Sequence, residues 1–146
     1  MVGIVIISHS RTLAEGVAEV ARAMGVGKAV VEPAGGDSEG RLGTSIDLVE
    51  QAVAAADGGD GVVLLADLGS SVLTAKMLIE DAEGDDVLLA DAPLVEGAVA
   101  AASMAATGAD LTAVQRWRWA GGTGGRCSSS PTTASASRPP TGSACS

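Results

Sequence analysis

The sequence predicts an α/β fold, a doubly wound and mainly parallel sheet in the strand order 2-1-3-4 with helices on both faces. Two observations carry that expectation. Four short, nearly continuous apolar runs, at residues 2–7, 28–32, 61–66 and 87–90, have the length and composition of strands buried on both sides. Each is followed by a stretch whose apolar residues recur at helical spacing, so strand and helix alternate four times. Right-handed crossovers leave few topologies for such a chain. In the 2-1-3-4 order, strands one and three are neighbours.

After the first strand, Leu13, Val17, Val20, Ala21 and Met24 fall at i, i+4, i+7, i+8 and i+11, which predicts one inward helical face. The second strand is expected to end at Pro33, and the glycine-rich stretch 35–40 to form an exposed loop. The helix beyond it should turn Ile46, Val49, Val53 and Ala56 inward, with Thr44 and Asp47 as its N-cap pair. The third strand ends at Asp67, and its helix directs Val72, Ala75, Ile79 and Ala82 to the sheet. The alanine-rich stretch 94–106 completes the fourth pair.

This domain is expected to span residues 1–114. From about Gln115 the periodicity stops, and Trp117, Trp119, a glycine-rich 121–125, serines at 128–130 and Pro139-Pro140 replace it. Both tryptophans, both cysteines and no acid occur there, the vocabulary of a GC-rich gene read in a shifted frame. Residues 115–146 are therefore expected to be an irregular tail, disordered or non-native.

Composition narrows the function classes. With 146 residues, 47% of them hydrophobic, the chain has material for one domain and one core. All eighteen acidic residues lie in residues 1–114 against five basic ones, a balance that repels nucleic acid and steers toward basic protein surfaces. No apolar run approaches the roughly 18 residues of a membrane span, and the start has no basic leader region, so a cytoplasmic protein is expected. Cys127 and Cys145 lack metal-ligand spacing and lie far from the single histidine, which argues against zinc. No GxGxxG or GxxxxGK(S/T) pattern is present, so no nucleotide cofactor and no metal are expected.

The chemistry converges on His9. It follows the first strand, and Asp67 ends the third; in an open α/β sheet, reacting groups gather at these carboxyl ends near the switch in strand order. A carboxylate accepting from Nδ1–H would fix the imidazole tautomer and leave Nε2 as the nucleophile. The helix opening around Ser10 aims its unpaired N–H groups near His9, a setting suited to a phosphoryl group. Gly43 and Thr44, and Gly69, Ser70 and Ser71, offer further N–H and hydroxyl donors for phosphoryl oxygens. Taken singly, His9 and Asp67 also read as ordinary helix caps; their matching strand-end positions favour a shared site.

These residues carry a resemblance. The text 3–10 (GIVIISHS), Leu13-Ala14-Glu15-Gly16-Val17, Gly35-Gly36, Leu42-Gly43-Thr44-Ser45, Asp67-Leu68-Gly69-Ser70-Ser71 and Ala92-Pro93-Leu94-Val95-Glu96-Gly97 resembles the phosphocarrier subunits of phosphoenolpyruvate-dependent dihydroxyacetone kinases. Those subunits share the fold of the mannose-type enzyme IIA of the bacterial phosphotransferase system. The resemblance covers residues 1 to about 114. It implies that His9 takes a phosphoryl group from the histidine carrier protein and hands it to ADP on a kinase subunit, with Asp67 orienting the ring. It also implies a dihydroxyacetone-binding subunit in the same complex and a homodimeric carrier, the latter in question because the family's C-terminal structure would continue past Val114. Some relatives carry further carrier domains, for which this chain has no room, so the phosphodonor would be a separate protein.

Serine after the histidine and the short Asp67-Leu68-Gly69-Ser70 turn match the kinase branch better than the sugar-uptake enzymes. The alternatives are a mannose-type enzyme IIA feeding a sugar transporter, a non-catalytic α/β binding module in which His9 is only a cap, and a chain left inactive by its tail.

Overall fold

The computed structural model describes residues 1–82 and 86–116. The stretch from 117 onward, where the sequence predicts most of the irregular tail, lies outside the described residues. Among the described residues nine elements follow in order: β1 (Gly3–Ser8), α1 (Arg11–Met24), β2 (Val30–Gly35), α2 (Ile46–Ala56), β3 (Val62–Ala66), α3 (Gly69–Asp81), β4 (Val87–Leu89), α4 (Leu94–Ala106) and α5 (Leu111–Gln115).

The four strands are all parallel and run β2-β1-β3-β4, as the sequence predicts. β1, with a strand on either side and helices above and below, is buried along its whole length. Its alternate residues serve two cores. Ile4 and Ile6 join Ala14, Ala18 and Ala98 on one face, and Val5 and Ile7 join Val49, Ala75 and Leu78 on the other. Helices α1 and α4 therefore cover one side and α2 and α3 the opposite one, the doubly wound arrangement. Each fully buried Ile or Val of β1 contributes about 1.5–3 kcal/mol of burial.

Some local expectations are corrected. β2 starts later than predicted and continues through Pro33. Gly36 N–H donates to the Ser8 carbonyl, and Ile6 registers with Pro33, so Glu32, Ala34 and Gly36 face β1 while Pro33 turns its missing N–H to the outer edge. An edge strand tolerates proline on that side. The same edge is capped by Arg22, whose Nε donates to the Val31 carbonyl at 2.9 Å.

The helix faces also differ from the apolar periodicity. α1 buries Ala14, Val17, Ala18 and Ala21, while Leu13, Val20 and Met24 stay about half exposed. Likewise α2 buries Val49, Ala52 and Ala56, and α3 buries Ser71, Ala75 and Leu78. Close packing against the sheet selects the small side chains at the contact line and leaves larger ones at the rim. The N-cap of α2 is Ser45 rather than Thr44, whose hydroxyl is engaged elsewhere, with Ser71. The short α5 was not predicted from periodicity; its signal is Asp110, which caps it by accepting the Ala113 N–H at 2.8 Å.

Candidate functional site

The register of the central strands builds the site. β1 and β3 are paired so that Ile7 sits opposite Ala66, and the Asp67 N–H donates to the Ile7 carbonyl at 3.2 Å. The two chains thus leave the sheet together, and His9 and Asp67 emerge side by side. α1 starts immediately afterwards at Arg11, and α3 at Gly69. Two helix N-termini therefore converge on one point, which favours negative charge there.

Asp67 holds His9 by both backbone and ring. Its Oδ2 accepts the His9 backbone N–H at 3.1 Å and the Ser8 hydroxyl at 2.8 Å. Its Oδ1 accepts the Leu68 N–H at 2.7 Å and faces His9 Nδ1 at 3.4 Å. Burial alone would push this carboxyl up, but the Ser71 and Ser8 hydroxyls and the His9 and Leu68 N–H groups outweigh it and hold the pKa at about 2. Asp67 is thus an anion throughout the neutral range. An ionised carboxylate opposite Nδ1 favours a proton there and a lone pair on Nε2.

The two ring nitrogens meet different surroundings. Nδ1 points inward, where Ser71 Oγ stands 3.1 Å away and in turn meets Thr44 Oγ1 at 3.1 Å. Nε2 points outward to the hydroxyl of Ser70. The His9 side chain is 27% exposed and that of Asp67 only 12%, so the nitrogen on the open side is the accessible one.

The remaining residues expected in a phosphoryl cradle divide into two groups. Ser10 is the N-cap of α1, its hydroxyl accepting the Leu13 N–H at 3.3 Å and its own N–H donating to Ser8 Oγ at 3.1 Å. The Gly43 N–H donates to the His9 carbonyl at 3.0 Å. Ser10, Gly43, Thr44 and Ser71 therefore surround His9 from behind and beside, with the Ser10 and Gly43 N–H groups and the Thr44 and Ser71 hydroxyls bonded within the protein. Gly69 and Ser70 open α3 on the Nε2 side, and Leu68 at its N-cap supplies no side-chain acceptor. The first-turn N–H groups of that helix are left to solvent or to an anion.

Ser8 is the site residue that the sequence did not single out. It is fully buried at the end of β1 and joins Asp67 to Ser10. A polar residue closing a continuous apolar strand was the available signal.

The loop between β2 and α2 closes over the site from the Gly43 side. Asp37 braces it, its Oδ1 accepting the Glu39 and Arg41 N–H groups at 2.9 and 2.8 Å and its Oδ2 pairing with Arg41 Nε at 3.0 Å. Gly36 enters this loop at φ +74°, a conformation that favours glycine. A cavity of about 250 Å³ beside β2, lined by Arg11, Glu15, Glu32, Pro33 and Gln51 among others, includes neither His9 nor Asp67. The partly exposed His9 ring lies outside that cavity, at the surface, a geometry suited to a reacting group brought by another macromolecule.

Comparison with known proteins gives the family and the fold. The family model described as PTS system fructose IIA component matches residues 3–115. A PEP-dependent dihydroxyacetone kinase phosphoryl donor subunit DhaM from Escherichia coli is 38% identical over 120 residues, 78% of this chain and 25% of that protein. The chain thus spans about a quarter of the length of that relative. A DhaM from Listeria innocua is 36% identical over 101 residues, covering 69% of this chain and 79% of its own. The crystal structure of EF1359, a protein of unknown function, superposes with a TM-score of 0.70 at 33% identity, over 78% of this chain and 89% of that one. The chain belongs to the EIIA-man family, the PTS system fructose IIA component, on the branch of the DhaM phosphoryl donor subunits.

Proposed function

We propose that the protein is the phosphocarrier subunit of a dihydroxyacetone kinase complex, accepting a phosphoryl group on His9 from the histidine carrier protein and passing it to ADP bound on the kinase subunit. The observation that carries this reading is the asymmetry of His9. Nδ1 is held inward against Asp67 and Ser71, and Nε2 faces outward beside an uncapped helix start. The Nε2 lone pair attacks the phosphorus of the donor's phosphohistidine. The donor's P–N bond breaks, its electron pair stays on the donor's nitrogen, and the proton on His9 Nδ1 does not move. In the second step a terminal phosphate oxygen of ADP attacks the same phosphorus and the His9 P–N bond breaks, giving ATP that phosphorylates dihydroxyacetone on a further subunit. The protein contributes positioning and charge stabilisation rather than an acid or base.

Ser70 and the first-turn amides of α3 are the groups placed to bind the phosphoryl oxygens. The Ser70 hydroxyl, donating to Nε2 in the free protein, turns to a phosphoryl oxygen once that lone pair is used. Exposed Leu42 and Leu68, next in the chain to Gly43 and Asp67, and exposed Leu73, one turn after Ser70 in α3, offer apolar contact to a docking partner. The DhaM names of the relatives favour the kinase branch over a sugar-uptake enzyme IIA. Homodimerisation and a cytoplasmic location belong to the same proposal. Among the described residues, no helix is long and apolar enough to cross a membrane.

The test incubates the full chain with phosphoenolpyruvate, enzyme I and the histidine carrier protein, and reads intact mass. One acid-labile phosphoryl group on wild type and none on His9→Ala is expected, followed by its loss to an ADP-loaded kinase subunit. No adduct, with carriers active on a control protein, overturns the reading in favour of a binding module. An adduct that the kinase subunit fails to discharge favours the sugar-uptake branch.

A further inference from the structure

Among the described residues, the two buried polar side chains are Ser8 and Ser71, and both stand behind the His9–Asp67 pair. A hydroxyl withdrawn from water is costly unless bonded, and both are bonded into the site. Ser8 Oγ donates to Asp67 Oδ2 at 2.8 Å and accepts the Ser10 N–H at 3.1 Å, so its rotor is fixed from two sides. Ser71 Oγ lies 3.1 Å from His9 Nδ1 and 3.1 Å from Thr44 Oγ1.

We propose that Ser8 and Ser71 are positioning residues which together hold the Asp67 carboxylate and the Nδ1–H of His9, so that the ring's lone pair stays on Nε2. The proposal rests on the phosphocarrier reading for its catalytic consequence, whereas the ring state it describes exists before any phosphoryl group arrives.

The need for such residues follows from the distances. Neutral imidazole in a free histidine prefers its proton on Nε2, the wrong tautomer for a nucleophile at that nitrogen. Asp67 opposes this preference from 3.4 Å, longer than the usual 2.7–3.2 Å of an N–H···O bond. Ser71 supplies the nearer acceptor for Nδ1–H, and its own proton is free to point to Asp67 or Thr44. Ser8 acts on the other oxygen. Without it, Oδ2 retains only the His9 N–H at 3.1 Å, and the carboxylate is freer to rotate away from the ring.

The test labels the full-length chain with ¹⁵N-histidine and reads the two ring nitrogens of His9 by NMR at neutral pH, in wild type, Ser8→Ala, Ser71→Ala and the double variant. Alanine is close to isosteric with serine at both positions and suits the helix at Ser71. Wild type is expected to be predominantly the Nδ1–H tautomer. Each single variant should gain the Nε2–H form, and the double variant should gain it most. The initial rate of phosphorylation by the histidine carrier protein should fall about tenfold in each single variant. An Nε2–H wild type, or a natively folded Ser71→Ala with the wild-type tautomer ratio, overturns the proposal. A shift in tautomer in a protein that takes no phosphoryl group upholds the positioning role while removing the carrier reading, so the two failures are distinguishable.

Discussion

Ser71 Oγ stands 3.1 Å from His9 Nδ1, nearer than the Oδ1 of Asp67 at 3.4 Å, although Ser71 is 62 residues further along the chain. The ring is therefore gripped by a hydroxyl and a carboxylate together, and the contribution of the carboxylate is separable. Asp67→Asn keeps the shape but can present an amide N–H₂ to Nδ1, which favours the opposite tautomer. Phosphoryl acceptance on His9 should fall by about 100-fold or more with the fold retained. A time course of intact mass, beside circular dichroism, checks both halves of that expectation.

Acid stability carries the signature of Asp67. Its pKa is lowered from 3.8 to about 2 in the folded protein. A depressed carboxylate contributes stability that is fully present above the unfolded value and is lost as pH falls through the folded one. The contribution is on the order of 1–2 kcal/mol after discounting for its partial exposure. The difference in Tm between wild type and Asp67→Asn should therefore be constant from neutral pH down to about 5 and shrink between about pH 4 and 2. A difference that persists unchanged at pH 2 would show that the hydrogen bonds do not depend on ionisation.

The exposed leucines give a docking prediction. Leu68 is 58% and Leu73 60% exposed. Truncating them removes no core contact, so Leu68→Ala and Leu73→Ala should each leave stability within about 0.5 kcal/mol. The KM for the phosphorylated carrier protein should rise several-fold in each, with kcat nearly unchanged. A fall in kcat at constant KM would instead place these residues in the chemistry.

Two glycines should respond in opposite directions to alanine. A Cβ on Gly35 would meet the Ser10 carbonyl at 2.5 Å and the Arg11 Cα at 2.7 Å, where the end of β2 supports the start of α1. Gly35→Ala should destabilise by about 1–3 kcal/mol through overpacking and disturb the phosphorylation rate as well. Gly16 lies within α1, and a Cβ added there would meet nothing within 4 Å. Gly16→Ala should stabilise by about 0.5–1 kcal/mol without affecting transfer. Chemical denaturation of the two variants measures both.

Much of this organisation was legible in the sequence. Continuous apolar runs at 2–7 and 61–66 locate the central strands because strands buried on both faces need no alternation. The helix faces were read less well. Leu13, Val20 and Met24 have the spacing of an inward stripe, yet alanines occupy the contact line. Periodicity registers hydrophobicity and not how closely a helix approaches its sheet. Thr44 reads as a cap from local sequence alone, because the partner that takes its hydroxyl, Ser71, is 27 residues away.

The sequence by itself determined the α/β class and the placement of His9 and Asp67 at strand ends, since these follow from local burial patterns, and crossover handedness left few strand orders, among them the observed 2-1-3-4 that makes those ends adjacent. Only the tertiary structure decided which face of the imidazole is open, and which donors are committed to His9 and its neighbours rather than left for an anion. It also showed that Ser8 and Ser71 stand behind the pair. Those outcomes depend on distances of about 3 Å between hydrogen-bonding atoms brought together by the packing of β1, β3 and α3. No spacing along the chain encodes them one residue at a time.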